Sequence, residues 1–323
     1  MDSNRRALRR RSRRIRRSAV ASAIALAALT ALIVTGCSGL DVGAASGVPP
    51  FTVTPVPTAV PTANATPTAP ASSDDGTAST DGEAVPAAGS FDEFDGPAGS
   101  APNPAHWVAQ TGAGGWGNNE LQTYTAENGV LDGDGHLVIT ADIGAGGGAP
   151  WTSARLTTHG LASFGYGTVS ARMKLPDGES LLPSFWMLGS NIDTVGWPVC
   201  GEIDVVEAPI STTRTSHFLH GPGVGAPTKN VQAGGVLNHA EPMSDGFHTY
   251  SVTRTPGHVV IRVDGVVGTD ISRTTAPVDL QWVFDGDFDL VLSMAIGGSV
   301  PAPTATTPRT AQMVVDWVRF AAA

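Results

Sequence analysis

The sequence predicts an all-β fold, an antiparallel β-sandwich spanning residues 91–323. Short runs of alternating or β-rich residues recur along this part of the chain, as half-buried strands require. Clusters of Gly, Pro, Asn or Asp separate these runs, which is typical of turns between strands. No segment beyond residue 37 has a long apolar period of 3.6 residues with helix caps. The predicted strands include GHLVITADI, GTVSARMKL, HTYSVTR, GHVVIRVDGVV, DLVLSMAIGG and QMVVDWVRF.

Residues 1–37 have the pattern of a lipoprotein signal peptide. Nine arginines fall within the first 17 residues, and the apolar run SAVASAIALAALTALIV follows them. The segment IVTGC resembles a bacterial lipobox, whose cysteine is lipidated after cleavage, so Cys37 is the predicted lipidation site. A single membrane-spanning anchor is the alternative, because the apolar run is near the lower length limit for spanning. Both interpretations place the rest of the chain outside the cytoplasmic membrane, as a cell-surface lipoprotein or a secreted protein.

Residues 38–90 form a predicted linker. Pro, Thr, Ala, Ser and Gly dominate their composition, as in PPFTVTPVPTAVPTANATPTAPASS. Such a composition cannot bury a core, so we expect a disordered, extended spacer with partial polyproline II character. The composition changes at SFDEFDGPAG, and we expect one domain, residues 91–323, to follow.

The charge of the chain beyond the signal peptide limits its partners. Nine of the 19 basic residues and one of the 29 acidic residues precede position 38, which leaves ten basic against 28 acidic residues and a net charge of −18. Such a surface repels nucleic acids and polyanions, so a polymeric substrate is expected to be neutral. If Cys37 carries lipid, Cys200 has no cysteine partner, and we expect a packed thiol rather than a nucleophile.

The stretch GEIDVVEAPI holds three acidic residues with an unexpected spacing. Side chains alternate between the faces of a regular strand, so Glu202 and Asp204 share one face and Glu207 points with the apolar residues on the other. One extra residue in a β-bulge between Asp204 and Glu207 would return Glu207 to the face of the other two. Alone, the pattern also fits a solvated strand face or a calcium-binding group. Two carboxyls about 5 to 5.5 Å apart can instead cleave a glycosidic bond with retention.

Seven stretches carry a resemblance to a known family: GWGNNELQTYTAEN, TSARLTTHG, YGTVSARMKLPDG, PSFWMLGSNIDTVGWPVCGEIDVVE, LHGPG, FHTYSVTRTPGHVVIRVDG and VVDWVRF. Together they resemble glycoside hydrolase family 16, most closely its laminarinase-like endo-β-1,3-glucanases. The resemblance implies a concanavalin A-like β-jelly-roll sandwich of two antiparallel sheets, with a concave cleft for an extended glucan and no required cofactor. It also implies that Glu202 is the nucleophile, Glu207 the general acid/base and Asp204 the assisting acid.

Aromatic residues in the matching motifs are candidates for sugar binding, because pyranose rings present apolar C–H faces that stack on indole rings. We predict this role for Trp116, Trp186 and Trp197, with core packing as the alternative. Polar residues of the same motifs are predicted to bind sugar hydroxyls or to lie near the nucleophile. These polar residues are Asn119, Arg155 and His220, and the tryptophans predicted in the core are Trp107, Trp282 and Trp317.

The resemblance also implies a metal site and marks four departures. Asp316 in VVDWVRF matches a position that helps to hold a structural calcium ion in the family, away from the cleft. Zinc is not expected at His217 and His220 in HFLH, because no third ligand has a fitting spacing. Four departures from the family pattern predict that part of the aromatic lining is lost and that the sugar subsites are altered. They are Leu182, Arg254, Ser293 and Val300.

The predicted function is retaining hydrolysis of internal β-1,3 or mixed β-1,3-1,4 linkages in a neutral glucan. A hydrolase or transglycosylase for another β-linked polysaccharide is one alternative, since a sugar hydroxyl can replace water in retaining chemistry. A non-catalytic β-glucan-binding module is the other. The expected partners are the neutral β-glucan and, through the lipid on Cys37, the membrane. A monomer that binds no nucleic acid is expected.

Overall fold

The computed structural model describes residues 89–143, 151–209 and 211–323. The predicted signal peptide, its lipidation site Cys37 and the linker as far as residue 88 lie outside the described residues. The first described strand begins at Gly89, two residues before the predicted start of the domain at Phe91. Within the described ranges, no helix is both long enough and apolar enough to cross a membrane.

Strands make up most of the regular structure in the described residues, together with one short helix, α1 (Ile192–Val195). In chain order the strands are β1 (Gly89–Asp92), β2 (Val108–Ala109), β3 (Thr123–Tyr124), β4 (Gly129–Leu131), β5 (Leu137–Ile143), β6 (Trp151–Ser153), β7 (Arg155–Thr157), β8 (Gly167–Lys174), β9 (Leu181–Gly189), β10 (Glu202–Glu207), β11 (Arg214–Gly223), β12 (Ala226–Asn238), β13 (His248–Thr255), β14 (His258–Val263), β15 (Val266–Ser272), β16 (Phe288–Ile296) and β17 (Thr310–Ala322).

The described strands form two sheets. Seven strands form one sheet, in the order β12-β11-β10-β9-β16-β7-β2. Ten strands form the other, in the order β15-β14-β13-β8-β17-β5-β6-β3, with β1 paired to β17 and β4 paired to β5. Paired strands are antiparallel except for the short β3 and β6, which are parallel. The predicted all-β sandwich of two antiparallel sheets is therefore confirmed.

The core lies between the sheets because apolar side chains from both sheets point inward. On β10 of the seven-stranded sheet, Ile203, Val205 and Val206 are fully buried, and on β8 of the ten-stranded sheet Ala171 and Met173 are fully buried. Removing apolar surface from water contributes about 25 cal/mol per Å² and is the main stabilising term for such a core. The polar residues of β10 are thereby left on the opposite, outer face of the seven-stranded sheet.

Arg254 does not take part in the cleft lining, so the sequence prediction for this position is wrong. It lies on β13 of the ten-stranded sheet, is 1% exposed, and packs its guanidinium 4.7 Å from the ring centroid of Phe288 in the other sheet. A buried charge is costly unless its donors are satisfied. Four backbone carbonyls accept hydrogen bonds from this guanidinium, those of Phe164, Gly165, Phe284 and Gly286.

The three tryptophans predicted in the core have different environments. Trp107 is 4% exposed and belongs to the core, as predicted. Trp282 is partly buried and packs against the core, with its ring edge-on to Phe284. The prediction is wrong for Trp317, which is only half-buried on β17 and lies under the guanidinium of Arg319, 4.2 Å from its ring centroid.

Candidate active site

Strand β10 carries the three acidic residues and contains a β-bulge. Asp204 and Glu207 are three residues apart on β10, but their partners on β11 are only two residues apart. The pairing of β10 with β9 shifts by one residue between Asp204 and Val206. Because the bulge absorbs one residue, Glu207 lines the same cavity as Glu202 and Asp204. The bulge predicted from the spacing of the acids is therefore confirmed.

The chain enters β10 through a tight turn at Gly201. This residue has a φ of 83°, which favours glycine, and a Cβ here would lie 3.0 Å from Cγ2 of Val283. Cys200, just before the turn, is buried and donates its backbone N–H to the carbonyl of Gly196 at 3.0 Å. Burial raises the pKa of the Cys200 thiol to about 11, which agrees with a packed and unreactive thiol.

The three acids open into a cleft of about 300 Å³ on the outer face of the seven-stranded sheet. Every second residue of β9 contributes to its floor, because alternate side chains of a strand share one face. Segments 116–120 and 192–197 supply lining residues from outside the sheet. The floor residues from β9 are Leu182, Ser184, Trp186 and Leu188.

Burial in the cleft raises the pKa of all three carboxyls. The pKa of Glu207 rises to about 8, first because of burial and then because of the charge of Asp204. Burial and the charge of Asp204 also raise the pKa of Glu202, whereas His220 and Arg155 lower it. Asp204 is 4% exposed, and burial raises its pKa as well. Because these carboxyls repel one another when ionised, the cleft retains a proton near neutral pH.

His220 orients the middle acid. Its Nε2 lies 3.1 Å from Oδ2 of Asp204, and Nδ2 of Asn230 donates to its Nδ1 at 2.9 Å. The Asn230 amide holds the ring so that Nε2 faces the Asp204 carboxylate, to which an N–H at Nε2 can donate. His220 is not among the residues that line the cleft. Its contact with a sugar hydroxyl stays a prediction, and the structure places it beside the acids.

Arg155 lies between two of the predicted sugar-binding tryptophans. Its guanidinium carbon is 5.1 Å from the ring centroid of Trp116 and 4.5 Å from that of Trp186. Its Nε donates to Oε1 of Gln110 at 2.6 Å, and the indole N–H of Trp186 donates to Oγ of Ser293 at 3.1 Å. Both rings and the guanidinium line the cleft. They form a preorganised polar and aromatic wall beside Glu202.

Trp197 lies on the segment that contains α1 and lines the cleft with 49% of its surface exposed. His159 attaches this segment to the sheet, which sequence reasoning missed. Its Nε2 is 3.0 Å from Oδ2 of Asp193 in α1, and its Nδ1 is 2.5 Å from Oδ2 of the buried Asp289 on β16. Hydrogen bonds to these two carboxylates raise the pKa of His159. An exposed indole on an anchored segment is suited to stacking on a sugar ring.

Asn119 does not line the cleft, whereas its neighbours Asn118 and Glu120 do. Asn119 is exposed and has a φ of 58°, which marks it as a turn residue. Oε2 of Glu120 accepts hydrogen bonds from Nε2 of Gln122 at 2.6 Å and from the hydroxyl of Tyr124 at 3.0 Å. Sequence reasoning missed Glu120, although an acid inside a Gly- and Asn-rich motif is a signal that would have found it.

Three of the four departures from the family pattern lie at or next to the cleft. Leu182 and Ser293 line it. Val300 packs with Leu182 and Ala295 in a small buried cluster. Leu182 and Ser293 therefore make the wall of the cleft apolar or small at their positions, and neither they nor Val300 contributes an aromatic ring. The effect on the sugar subsites stays a prediction.

Asp316 lies on β17, in the ten-stranded sheet and outside the cleft lining. Its carboxylate accepts a hydrogen bond from Arg172, and Nε2 of His136 is 3.9 Å away. Calcium prefers six to eight oxygen ligands, roughly 2.3–2.6 Å away. The side chains around Asp316 do not fit such a site, and the calcium ion stays a prediction. Within the described ranges, the group of three metal-ligand side chains close enough to share one ion is Glu202, Asp204 and His220.

Glycosidic chemistry explains why acids and indole rings share this cleft. Cleavage of a glycosidic bond needs one carboxyl that donates a proton and a second that acts as an anion, and stacked aromatic rings hold the sugar between them. The cleft lining includes two glutamates, Glu202 and Glu207, and three indole rings, those of Trp116, Trp186 and Trp197. The fold and the site therefore define the class of the protein as a polysaccharide-cleaving glycosidase.

Comparison with known proteins identifies the family. The model of the glycosyl hydrolases family 16 matches residues 117–319, and the chain belongs to this family. It is 36% identical over 250 residues to a beta-glucanase of Rhodothermus marinus, which covers 71% of this chain and 82% of the relative. The laminarinase catalytic domain of Thermotoga maritima superposes with a TM-score of 0.63 at 35% identity, over 72% of this chain and 96% of that one. The endo-beta-1,3-glucanase of Pyrococcus furiosus superposes with a TM-score of 0.63 at 36% identity, over 72% of this chain and 94% of that one.

Proposed function

We propose that the protein is a retaining endo-hydrolase of β-1,3 linkages, or of mixed β-1,3-1,4 linkages, in a neutral glucan. The observation that carries this proposal is the bulge in β10, which brings Glu207 into the same cleft as Glu202 and Asp204. A regular strand would turn Glu207 toward the core and leave the cleft without its second glutamate. The aromatic wall of the cleft supports a sugar polymer as the substrate.

The two glutamates divide the chemistry between them. Glu202, as the carboxylate, attacks the anomeric carbon while Glu207 donates its proton to the departing glycosidic oxygen. The C–O bond to the leaving sugar breaks and an ester bond to Glu202 forms. Glu207, now a carboxylate, then takes a proton from water as that water attacks the same carbon. The ester bond breaks, Glu202 leaves as the carboxylate and Glu207 is protonated again, with the original configuration retained.

The environments of the two glutamates support this assignment. Burial raises the pKa of both glutamates. His220 lowers both, whereas Arg155 lowers only that of Glu202. When one of the two carboxyls is ionised, Arg155 therefore favours the anion at Glu202 over the anion at Glu207. With a pKa of about 8, Glu207 holds a proton at neutral pH and can donate it. Asp204, oriented by His220, lies between the two in the strand and keeps the pKa of Glu207 high.

The neutral charge of the proposed substrate follows from the charge of the enzyme. The residues after position 37 carry a net charge of −18, which repels sulfated or carboxylated polymers. The similarity to a beta-glucanase, a laminarinase and an endo-beta-1,3-glucanase supports a β-glucan among the neutral polymers. The internal cleavage mode is supported by the description of the Pyrococcus relative as an endo-acting enzyme.

Reducing-sugar release from laminarin, lichenan, agarose and xyloglucan tests this function. We expect release from laminarin, or from laminarin and lichenan, with early products that are oligosaccharides of mixed length. Proton NMR of the first products should show the β-anomer before mutarotation. The Glu202→Gln variant is the matched control and should release nothing above background. Release from agarose or xyloglucan alone, or α-anomeric first products, would contradict the proposal.

We also propose that Cys37 carries the lipid that tethers the enzyme outside the cytoplasmic membrane. The arginine-rich start, the apolar run and the cysteine at its end support this proposal. Metabolic labelling with an alkyne fatty acid in a bacterial host should label the wild-type chain and leave the Cys37→Ser variant unlabelled. Equal labelling of both chains would contradict lipidation at Cys37. Sedimentation of the released domain tests the expectation of a monomer.

A further inference from the structure

The bulge in β10 leaves Val205 without a paired residue on either neighbouring strand, β9 or β11. Asp204 and Glu207 bracket the extra residue, so Val205 and Val206 together face His217 on β11. A bulge interrupts the ladder of hydrogen bonds at the extra residue. Val205 is fully buried, so water cannot replace the missing partner of its carbonyl. A buried carbonyl without a partner is destabilising, and the bulge therefore needs a donor from elsewhere in the fold.

His217 supplies that donor from the position opposite the bulge. Its Nδ1 lies 2.7 Å from the carbonyl oxygen of Val205, and its side chain is fully buried. A carbonyl oxygen can only accept, so Nδ1 carries the proton and donates it. His217 thus lies opposite the bulge on β11, and its own side chain donates the hydrogen bond to the carbonyl of Val205.

A hydrogen-bond chain fixes the tautomer of His217. Its Nε2 is 2.8 Å from Oγ1 of Thr215, and the same oxygen is 2.8 Å from Nε2 of His239. Since Nδ1 of the neutral ring holds the proton, Nε2 accepts from the threonine hydroxyl, and that hydroxyl accepts from His239. Burial lowers the pKa of His217, which keeps the ring neutral. The chain runs from the half-buried His239 inward to Val205.

The surrounding residues shape a seat for the imidazole ring. Gly268 on β15 faces it, and a Cβ at this position would lie 2.7 Å from Cδ2 of His217. Thr269, the next residue, donates its hydroxyl to the backbone carbonyl of His217 at 2.7 Å. The ring therefore has little freedom to leave Val205, and the other sheet of the sandwich helps to hold it.

We propose that His217 is a positioning residue, which holds the bulge in β10 and thereby sets Glu207 at its working distance from Glu202. His217 lies on the core side of the seven-stranded sheet and touches neither the cleft nor a substrate. It acts on catalysis through Val205 and the backbone that leads to Glu207. This inference rests on the proposed retaining mechanism, because it assigns the placement of the proton donor in that mechanism.

Two substrates distinguish misplacement of the proton donor from general damage to the fold. Laminarin needs a proton on its leaving oxygen, whereas β-laminaribiosyl fluoride releases fluoride without that help. The test compares kcat/KM of the full chain on both substrates for the wild type, His217→Leu and His217→Asn. This quantity reports only the steps up to formation of the ester and not its hydrolysis, in which Glu207 acts as the base. Leucine fills a similar volume but cannot donate, and the amide of asparagine places an N–H donor near the position of Nδ1.

We expect His217→Leu to lower kcat/KM on laminarin by about 100-fold, with a much smaller loss of kcat/KM on the fluoride. His217→Asn should recover kcat/KM on laminarin to within about tenfold of the wild type. Leu219→Ala is the matched control, because Leu219 is a fully buried residue of the same strand on the same side. It should lower the Tm and leave the ratio of the two activities unchanged.

A His217→Leu chain with the wild-type ratio of laminarin to fluoride activity would overturn the proposal. Equal losses on both substrates, as for a general loss of folded protein, would overturn it too. If His217→Leu does not fold, Thr215→Val removes only the partner of Nε2 and should lower the ratio by about threefold to tenfold; an unchanged ratio overturns the proposal. Failure of the proposed function is a separate result, namely a wild-type chain that is inactive on both substrates.

Discussion

The outer faces of the two sheets follow the same strand alternation but hold their acids in opposite environments. On the seven-stranded sheet, Glu202, Asp204 and Glu207 lie in a cleft where burial raises the pKa of each. On the ten-stranded sheet, Asp316 is 25% exposed and forms an ion pair with Arg172. Residues from segments 116–120 and 192–197 enclose the acids on the outer face of the seven-stranded sheet. This enclosure accounts for the different environments of the acids on the two sheets.

An outward-facing acid acquires chemistry only where other parts of the chain keep water away from it. A solvent-exposed ion pair contributes about 0–1 kcal/mol and leaves its carboxylate ionised. An enclosed group of carboxyls retains a proton near neutral pH, because ionised neighbours repel one another in a medium of low polarity. Substitutions in the cleft of the seven-stranded sheet are therefore expected to change activity strongly, and those on the outer face of the ten-stranded sheet only slightly.

The largest effect is expected from Glu202→Gln. The substitution keeps the shape of the side chain but removes the anion that forms the ester bond, so kcat on laminarin should fall by at least about 10⁴-fold. Stopped reducing-sugar assays with high enzyme concentration measure the residual rate. Thermal unfolding provides the control, since the variant loses a mutually repelling carboxylate and should unfold at the same temperature or a higher one. A residual rate within 100-fold of the wild type would contradict the role of Glu202.

Glu207→Ala should lower kcat on laminarin by about 10² to 10⁴-fold, because the leaving oxygen no longer receives a proton. Activity on β-laminaribiosyl fluoride should survive in its first step and should increase when azide is added. Azide fits the space left by the carboxylate and attacks the ester intermediate from that side, so the product should be the β-glycosyl azide. NMR of the product decides the assignment, since an α-glycosyl azide would make Glu207 the nucleophile instead.

Asp204→Asn tests how the middle acid sets the pH range of the enzyme. The charge of Asp204 raises the pKa of Glu207 above the value that burial alone produces. Glu207 must be protonated to donate, so its pKa governs the alkaline limb of kcat/KM. Removing the charge lowers that pKa, and the alkaline limb should move to lower pH, with a loss of about tenfold to 100-fold at the optimum. A limb that stays in place, or moves to higher pH, would contradict this coupling.

The smallest effect is expected from Asp316→Asn on the other sheet. The ion pair with Arg172 is partly exposed, so the free energy of unfolding should change by less than about 1 kcal/mol and the activity should not change. The same variant tests the predicted calcium ion. If calcium is held at Asp316, calcium added after chelation should raise the Tm of the wild type and not that of the variant. A Tm that calcium does not alter in either chain would remove this prediction.

Part of the active site was predictable from the sequence because strand periodicity is a local property. The odd spacing of Glu207 relative to Glu202 and Asp204 predicted a bulge, and the register of β10 with β9 and β11 contains one. Trp116, Arg155, Trp186 and Trp197 do line the cleft with the acids. Their motifs placed them correctly without information about their distances.

Other positions were not predictable because their surroundings come from distant parts of the chain. Arg254 looked like a lost cleft aromatic, but it lies inside the sandwich, where carbonyls from two remote loops surround its guanidinium. Asn119 lies in the expected motif, yet a positive φ makes it a turn residue and leaves the lining to its neighbours. A motif specifies which segment reaches the cleft and not which of its side chains points inward.

The sequence by itself determined the strand alternation, the net negative charge and the need for an extra residue between Asp204 and Glu207. Each follows from residue types and spacings within one segment. Only the tertiary structure decided what stabilises that extra residue. Val205 finds its donor in His217, which lies 12 residues away on the next strand, with Gly268 of the opposite sheet making room for the ring. Hydrogen-bond partners and burial depend on which segments meet in space, and they set both the position of Glu207 and its pKa.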